Sequence, residues 1–529
     1  MTRLVRSIHN RDRMKDSLIL GLDLGTSGVK ALLLTVDGSA PNRIIAEATA
    51  GLPLSTPHPG WSEQDPTDWW RGTVQAIQDV LARSGARPGD IAGLALSGQM
   101  HGATLLDGEG QVLRPAILWN DQRSGPECAL ITERVGFANL IRWVANPALA
   151  GFTAPKILWV RRHEPDIYRR ISTVLLPKDY INYRLTGEPA TEASDASGTL
   201  LFDVVHRRWS EEMLGALEIP RSFLPQVYES TDIVGRITTE AAAATGLTQG
   251  TPVVAGGADN ACAAVGMGVV RPGQLLTSLG TSGTVVAPSS EPRLDPQARL
   301  HTFCHAVKDT WYLMGVVLSA GGSLRWFRDT LATEERRQAE AEGRDAYDLI
   351  LDEAAAVPRG SEGLFFLPYL TGERTPHGDP DARGVFFGLS LRHTRAHLAR
   401  SVLEGVTYAL ADSASIMREL GVDIQTIRAT GGGARSPFWR QMQADILNAR
   451  VATALADAGP AFGAALIAGA GVNAFPSIVE AVDRTVTMSG DLLLPKPDAV
   501  TVYRQYHELY ASLYPALADR FRAVARLFS

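Results

Sequence analysis

The pentapeptide Leu-Gly-Thr-Ser-Gly occurs twice in this chain, at residues 24–28 and again at 279–283. Apolar runs bracket both copies: 18–22 and 29–36 flank the first, 274–279 and 284–287 the second. A Gly-Thr-Ser turn between two strands gathers backbone N–H groups and hydroxyls at one point, which suits phosphate oxygens, and glycine permits close approach. One such turn is also an ordinary hairpin. Two identical copies in the same predicted context read as a duplication, and they could hold a triphosphate from both sides. At 529 residues the chain is too long for one ordinary core, so two halves facing across a cleft are expected.

The rest of the pattern agrees. In the first half, strands are predicted over 18–22, 29–36, 44–48, 91–97, 103–106 and 115–119, with a turn at Asp37-Gly38. A helix is predicted over 67–82, started by the Asp65-Pro66 pair. In the second half, strands are expected at 252–255 and 274–279 and a short helix at 260–267, with a domain boundary near 260–272. Strands alternating with helices give an α/β architecture with a mixed sheet. Residues 334–353 read as an exposed helix without chemistry, and 398–420 as a helix packed through Leu398, Val402, Val406, Leu410 and Ile416. Residues 502–528 read as a helix docking through Tyr503, Tyr506, Tyr510, Leu513 and Leu517.

Composition excludes several classes. With 51 Lys plus Arg against 57 Asp plus Glu, the net charge of -6 leaves no electrostatic footprint for nucleic acid or an anionic membrane. No apolar run is long enough to span a bilayer. Three cysteines are too few for a disulfide framework, so a reducing, cytoplasmic location is expected. The basic stretch 1–17 has no apolar core of a signal peptide. It reads as a disordered extension, or as upstream sequence if translation begins at Met14.

Several residues could carry chemistry. Asp23 precedes the first pentapeptide where Ser278 precedes the second. A carboxylate there can hold Mg²⁺ directly or through water, or can simply cap the turn. Gly431-Gly432-Gly433-Ala434-Arg435 links an apolar run to Ser436-Pro437 and a helix, a strand–loop–helix site for a nucleotide. The dinucleotide fingerprint, the P-loop and the protein-kinase signatures are all absent. Asp259 ends one predicted strand and begins a helix, either as an N-cap or as the base that deprotonates an acceptor hydroxyl. His101 lies in a loop after a strand. Trp119-Asn120-Asp121 could offer a sugar an indole face and a polar rim, or belong to the core. His301, Cys304 and His305 are metal-ligand types, but no second cluster completes a zinc site.

Read together, DLGTSGVK at 23–30, SLGTSG at 278–283 and GGGAR at 431–435 resemble the phosphate and adenosine motifs of the sugar kinase, actin and heat-shock chaperone superfamily. GFTAPKILWVRRH at 151–163 and GVFFGLSLRHTRAHLARSVLE at 384–404 are similar to the two signatures of the FGGY carbohydrate kinases. WSEQDP, GQMHGATLLD, RPAILWND, LLPKDY and TGERTPHGDPDARGVFFGL resemble the xylulokinase branch of that family. The likeness runs from about residue 18 to beyond 480.

It implies two ribonuclease H-like, actin-like ATPase domains with the active site between them. The first domain would cover 18–265 and the second 266–490, with a helical tail over 491–529. It implies ATP and D-xylulose as substrates, Mg²⁺ as the metal, and no nucleic-acid or membrane partner; a homodimer is allowed. Asp259 resembles the catalytic base, and Asp23 the carboxylate beside Mg²⁺ and the phosphates. Met100 and His101 occupy the sugar-contacting pair, with Trp119 and Asn260 as further walls. Thr26, Ser27, Gly280 and Thr281 match the phosphate turns, Gly432, Gly433 and Arg435 the nucleotide loop, and Gly321 a further nucleotide contact. Ala258 stands where many members have a third glycine, which is tolerable unless the position needs φ > 0. Another pentulose or polyol, such as ribulose or ribitol, is the alternative substrate. A nucleotide-driven switch without a small-molecule acceptor is the alternative class.

Overall fold

The computed structural model describes residues 17–36, 42–455 and 459–528. The predicted Asp37-Gly38 turn and nearly all of the basic extension lie outside the described residues.

Twelve strands form two large sheets. The first half contributes β1 (Ser17–Leu24), β2 (Gly28–Val36), β3 (Ile44–Gly51), β4 (Ile91–Gly98), β5 (Ile233–Arg236) and β6 (Pro252–Ala258). The second contributes β7 (Gly273–Leu279), β8 (Gly283–Ser289), β9 (His301–Cys304), β10 (Trp311–Val317), β11 (Ile424–Gly431) and β12 (Arg450–Ala452). Their orders are β5-β6-β4-β1-β2-β3 and β9-β10-β8-β7-β11-β12. In each, an antiparallel meander (β1-β2-β3, or β7-β8-β10) continues on its other side into two parallel strands (β4 and β6, or β11 and β12). The duplicated pentapeptide sits at the same hairpin of both meanders. The predicted strand over 115–119 shrinks to Ala116–Ile117, outside the large sheets.

The central strands read as nearly continuous apolar runs because both faces of each sheet are covered. Helix α1 (Pro66–Ser84) packs on β2 and β3; its start is fixed by Asp65, whose carboxylate accepts from the Thr67 N–H, and by Pro66 at the first helical position. Helix α2 (Thr153–His163) is buried along most of its length. Helix α3 (Asp259–Gly266) follows β6 directly. In the second half come α4 (Gly321–Thr330), α5 (Thr333–Glu342), α6 (Ala346–Ala356), α7 (Arg395–Glu419), α8 (Pro437–Leu447), α9 (Pro460–Gly471) and α10 (Pro497–Phe528).

Helix α9 lies not on its own half's sheet but against β1, β4 and α3 of the first. The two halves are therefore tied by a helix that crosses between them, which the sequence pattern did not show. The long helix α7 is buried on all sides of its middle, and α10 docks through Tyr503, Tyr510 and Leu513. The expected single helix over 334–353 is two helices, α5 and α6, with Glu335 buried. Among the described residues, no helix is long and apolar enough to cross a membrane.

Candidate active site

β1, β4 and β6 are parallel neighbours that end at the same edge, and each hands a residue to the site. β4 leads into Gln99, Met100 and His101. His101 takes φ 70°, a left-handed conformation that costs a histidine about 1–3 kcal/mol. Three hydrogen bonds hold it there. Its carbonyl accepts from Lys156 Nζ at 2.9 Å and Thr153 Oγ1 at 3.1 Å, and its Nδ1 lies 2.6 Å from the Gly198 carbonyl. A carbonyl only accepts, so Nδ1 carries the proton and Nε2 is left as an acceptor. Burial, followed by a smaller opposing bond to Gly198, drops the imidazole pKa to about 3, so the ring is neutral at any physiological pH.

β6 delivers Asp259 as the first residue of α3. Its carboxylate does not cap the helix: Oδ1 accepts from the N–H of the adjacent Asn260 at 2.6 Å and from Asn260 Nδ2 at 2.8 Å. Asn260 Nδ2 also lies 4.0 Å from Met100 Sδ, bringing Met100, Asn260 and Asp259 together. Ala258 takes φ -56°, so its methyl costs no backbone strain. The position that demands glycine is Gly256, with φ 80° and a would-be Cβ 1.9 Å from the Leu96 carbonyl. Behind this turn, the Ala258 N–H donates to Ser194 Oγ at 3.0 Å, and Ser194 Oγ donates to Glu192. Glu192, Asp179 and Asp195 surround the fully buried ammonium of Lys178. Sequence reasoning missed this brace; its signal was charge inside the apolar context of LLPKDY and TEASDAS.

Asp23, near the end of β1, stands opposite Lys30 on β2 and Ser97 on β4. Its Oδ1 is buried without a hydrogen-bond partner. Burial raises its pKa, with Ser97 and Lys30 pulling the other way. Burial and then the like charge of Asp23 push the Asp259 carboxyl up to about 7, against hydrogen bonds from Asn260. The orphaned oxygen of Asp23, a carboxylate held in the interior, fits a divalent cation with oxygen ligands, held directly or through water. Among the described residues no group of three or more His, Cys, Asp or Glu could hold a metal alone. His301, Cys304 and His305 are spent on separate partners: Asn146, the Val204 carbonyl and the Val269 carbonyl.

The two identical turns differ in detail. The first closes between the paired residues Leu24 and Val29, the second between Leu279 and Gly283, one residue tighter. Ser27 is exposed. Thr26 Oγ1 donates to Gln99 Oε1 at 2.9 Å and accepts from Trp119 Nε1 at 3.0 Å. Gln64 completes the set, donating to the Thr26 carbonyl and accepting from Gln99 Nε2 and Trp69 Nε1. Trp119 keeps 44% of its surface exposed, while Asp121 turns inward to Arg123 and the Ser62 N–H instead of forming a rim.

At the second turn, Gly280, Thr281, Gly321, Gly432, Gly433 and Arg435 line one cavity of about 760 Å³. Gly321 N–H donates to the Gly280 carbonyl at 2.8 Å, and a Cβ on Gly321 would lie 2.4 Å from that oxygen. Ser436 caps α8 at the cavity wall by accepting from the Trp439 N–H. The opposite wall is α6 and its approach, with Arg344, Tyr347, Asp348 and Leu351, and Phe438 lies on the α8 side. The region read as free of chemistry thus forms one wall of this cavity. Only the cavity that α6 shares with the distant glycine loop reveals it. The structure therefore groups the candidate residues as Asp23 with Asp259, Met100 with His101 and Asn260, Trp119 with Thr26, and the remaining nucleotide candidates around one cavity, with Ser27 at the surface.

The FGGY family of carbohydrate kinases, N-terminal domain, matches residues 18–266, and the same family's C-terminal domain matches 275–472. The chain is 44% identical to the xylulose kinase of Escherichia coli (strain K12), over 94% of this chain and 99% of that one. It is 41% identical to the xylulose kinase of Bacillus subtilis (strain 168), over 95% and 97% respectively. The crystal structure of xylulose kinase from Rhodospirillum rubrum superposes with a TM-score of 0.88 at 32% identity, over 96% of this chain and all of that one.

Proposed function

The chain belongs to the FGGY family of carbohydrate kinases, with that family's actin-like fold, and on that premise we propose that it transfers the γ-phosphoryl group of ATP to D-xylulose. The products are ADP and D-xylulose 5-phosphate. Support comes from the named activity of its similar relatives and, above all, from the pairing of Asp259 with Asp23 at the shared edge of β1, β4 and β6.

In this reading the sugar lies against Met100, His101, Trp119 and Asn260, with His101 Nε2 accepting from a hydroxyl. Asp259 takes the proton of the C5 hydroxyl as that oxygen attacks the γ-phosphorus and the bond to ADP breaks. A pKa of about 7 suits a general base working near neutrality. The Ser194–Glu192–Lys178 brace keeps Asp259 in place. Asp23 would hold Mg²⁺, directly or through water, and the ion when bound supplies charge neutralisation on the phosphates. Thr26 and Ser27 approach the phosphates from one turn, Gly280 and Thr281 from the other, and Gly321 holds the second turn in place. Gly432, Gly433 and Arg435 take the nucleoside side. The reaction belongs in the cytosol, where ATP is held.

Coupled ADP-release assays with D-xylulose, D-ribulose and ribitol test the assignment. D-xylulose should show the highest kcat/KM. Faster turnover of ribulose or ribitol removes the substrate while sparing the kinase; ATP binding with no acceptor turned over removes both.

A further inference from the structure

Lys156 lies on α2, in the stretch GFTAPKILWVRRH, with its side chain fully buried. Its ammonium donates to two backbone carbonyls, His101 at 2.9 Å and Gly151 at 2.6 Å. No carboxylate lies within ion-pair distance of it among the described residues. Asp121, whose charge acts on it, is already bound to Arg123 and the Ser62 N–H. Burying an unpaired ammonium is costly, and two carbonyls could be satisfied by neutral donors. Burial pushes the Lys156 amine down to about 7, so near neutrality its nitrogen donates to both carbonyls whether or not it holds the extra proton; what the long side chain adds is reach, from one atom to two separate segments.

Those segments flank the sugar site. His101 is the strained residue of the Met100–His101 loop, and Lys156 is the closer of two donors to its carbonyl. Gly151 backs onto Trp119, so closely that a Cβ on it would lie 2.9 Å from the Trp119 carbonyl. We propose that Lys156 is a positioning residue that fixes the spacing between the His101 loop and the Gly151 segment behind Trp119, and so sets sugar affinity and discrimination. This rests on the reading of Met100, His101 and Trp119 as the sugar site.

Steady-state kinetics of Lys156→Met, His101→Ala and the double variant test it. K156M should raise the KM for D-xylulose about 3- to 10-fold, the net worth of an ordinary hydrogen bond. It should also narrow the preference over D-ribulose and leave the KM for ATP within about twofold. In the H101A background K156M should add less than in the wild type, because part of its effect runs through the position of the His101 side chain. An unchanged sugar KM, an equal rise in both KM values, or full multiplicativity in the double variant overturns the proposal. Should K156M fail to fold, Thr153→Val removes the weaker bond to the same carbonyl and should give the same split at about threefold; an unchanged sugar KM there overturns it. If H101A itself leaves the sugar KM unchanged, the sugar site is wrong, a result distinct from failure of Lys156 alone.

Discussion

Trp119 Nε1 donates a 3.0 Å hydrogen bond to Thr26 Oγ1, joining the indole proposed to face the sugar to the turn proposed to face the phosphates. The same hydroxyl gives its own proton to Gln99. Since Gln99 immediately precedes Met100, the sugar loop and the phosphate turn share one short network through Gln64 and Gln99.

Trp119→Phe keeps an aromatic face and removes that bond. A loss of about 1 kcal/mol, or about fivefold in kcat/KM for D-xylulose, is expected, with the KM for ATP rising by less. Paired saturation curves for sugar and ATP check it. A change confined to ATP would contradict the coupling.

Asp259→Asn should lower kcat by about 10²- to 10⁴-fold while nucleotide affinity stays within about threefold, measured by calorimetry with ADP. In the wild type, kcat/KM should fall as pH drops through about 7, because protonated Asp259 accepts no proton. Stability runs the other way. A folded-state pKa raised above the unfolded 3.8 means that folding disfavours the ionised form, so stability is lost as pH rises from about 4 toward 7. The melting temperature of D259N should therefore exceed the wild type at pH 8, and the gap should close toward pH 4.

Gly321→Ala would place a methyl 2.4 Å from the Gly280 carbonyl and push the second turn outward. The expected result is a rise of about tenfold in the KM for ATP, the size of one displaced hydrogen-bonded contact, with the sugar KM little changed. Gly256→Ala serves as a contrast. It strains a φ of 80° three residues from Asp259, so it should lower thermal stability and kcat together.

Tyr347→Ala and Phe438→Ala probe the cavity of α6 and α8. Each should weaken ADP by about 1–3 kcal/mol if the base stacks there. Fluorescent-nucleotide displacement checks this, and unchanged affinity in both would move the base elsewhere.

Much of the site was legible in local chemistry. The Asp65-Pro66 and Ser436-Pro437 helix starts appear as read, because capping needs only residues adjacent in sequence. Asp259 was placed at the strand–helix junction, but its carboxylate turns to Asn260 rather than capping α3. Burial raises its pKa, and the second contribution comes from the charge of Asp23, 236 positions earlier. Helix α6 gave no sign of its role, since an Ala- and Glu-rich surface helix and a cavity wall have the same composition. The crossing of α9 to the first sheet was hidden for a similar reason: an apolar helix does not name the surface it covers.

The pentapeptide shows the division most clearly. By itself the sequence determined that both copies form a glycine turn between two strands in two like halves, because an identical motif with apolar runs on both sides favours the same kind of turn. Only the tertiary structure decided that one turn closes a residue tighter, and that Thr26 binds Trp119 and Gln99 while Thr281 receives Arg325. Hydroxyl partners are chosen by whichever side chains the surrounding elements bring within about 3 Å, and those come from distant parts of the chain.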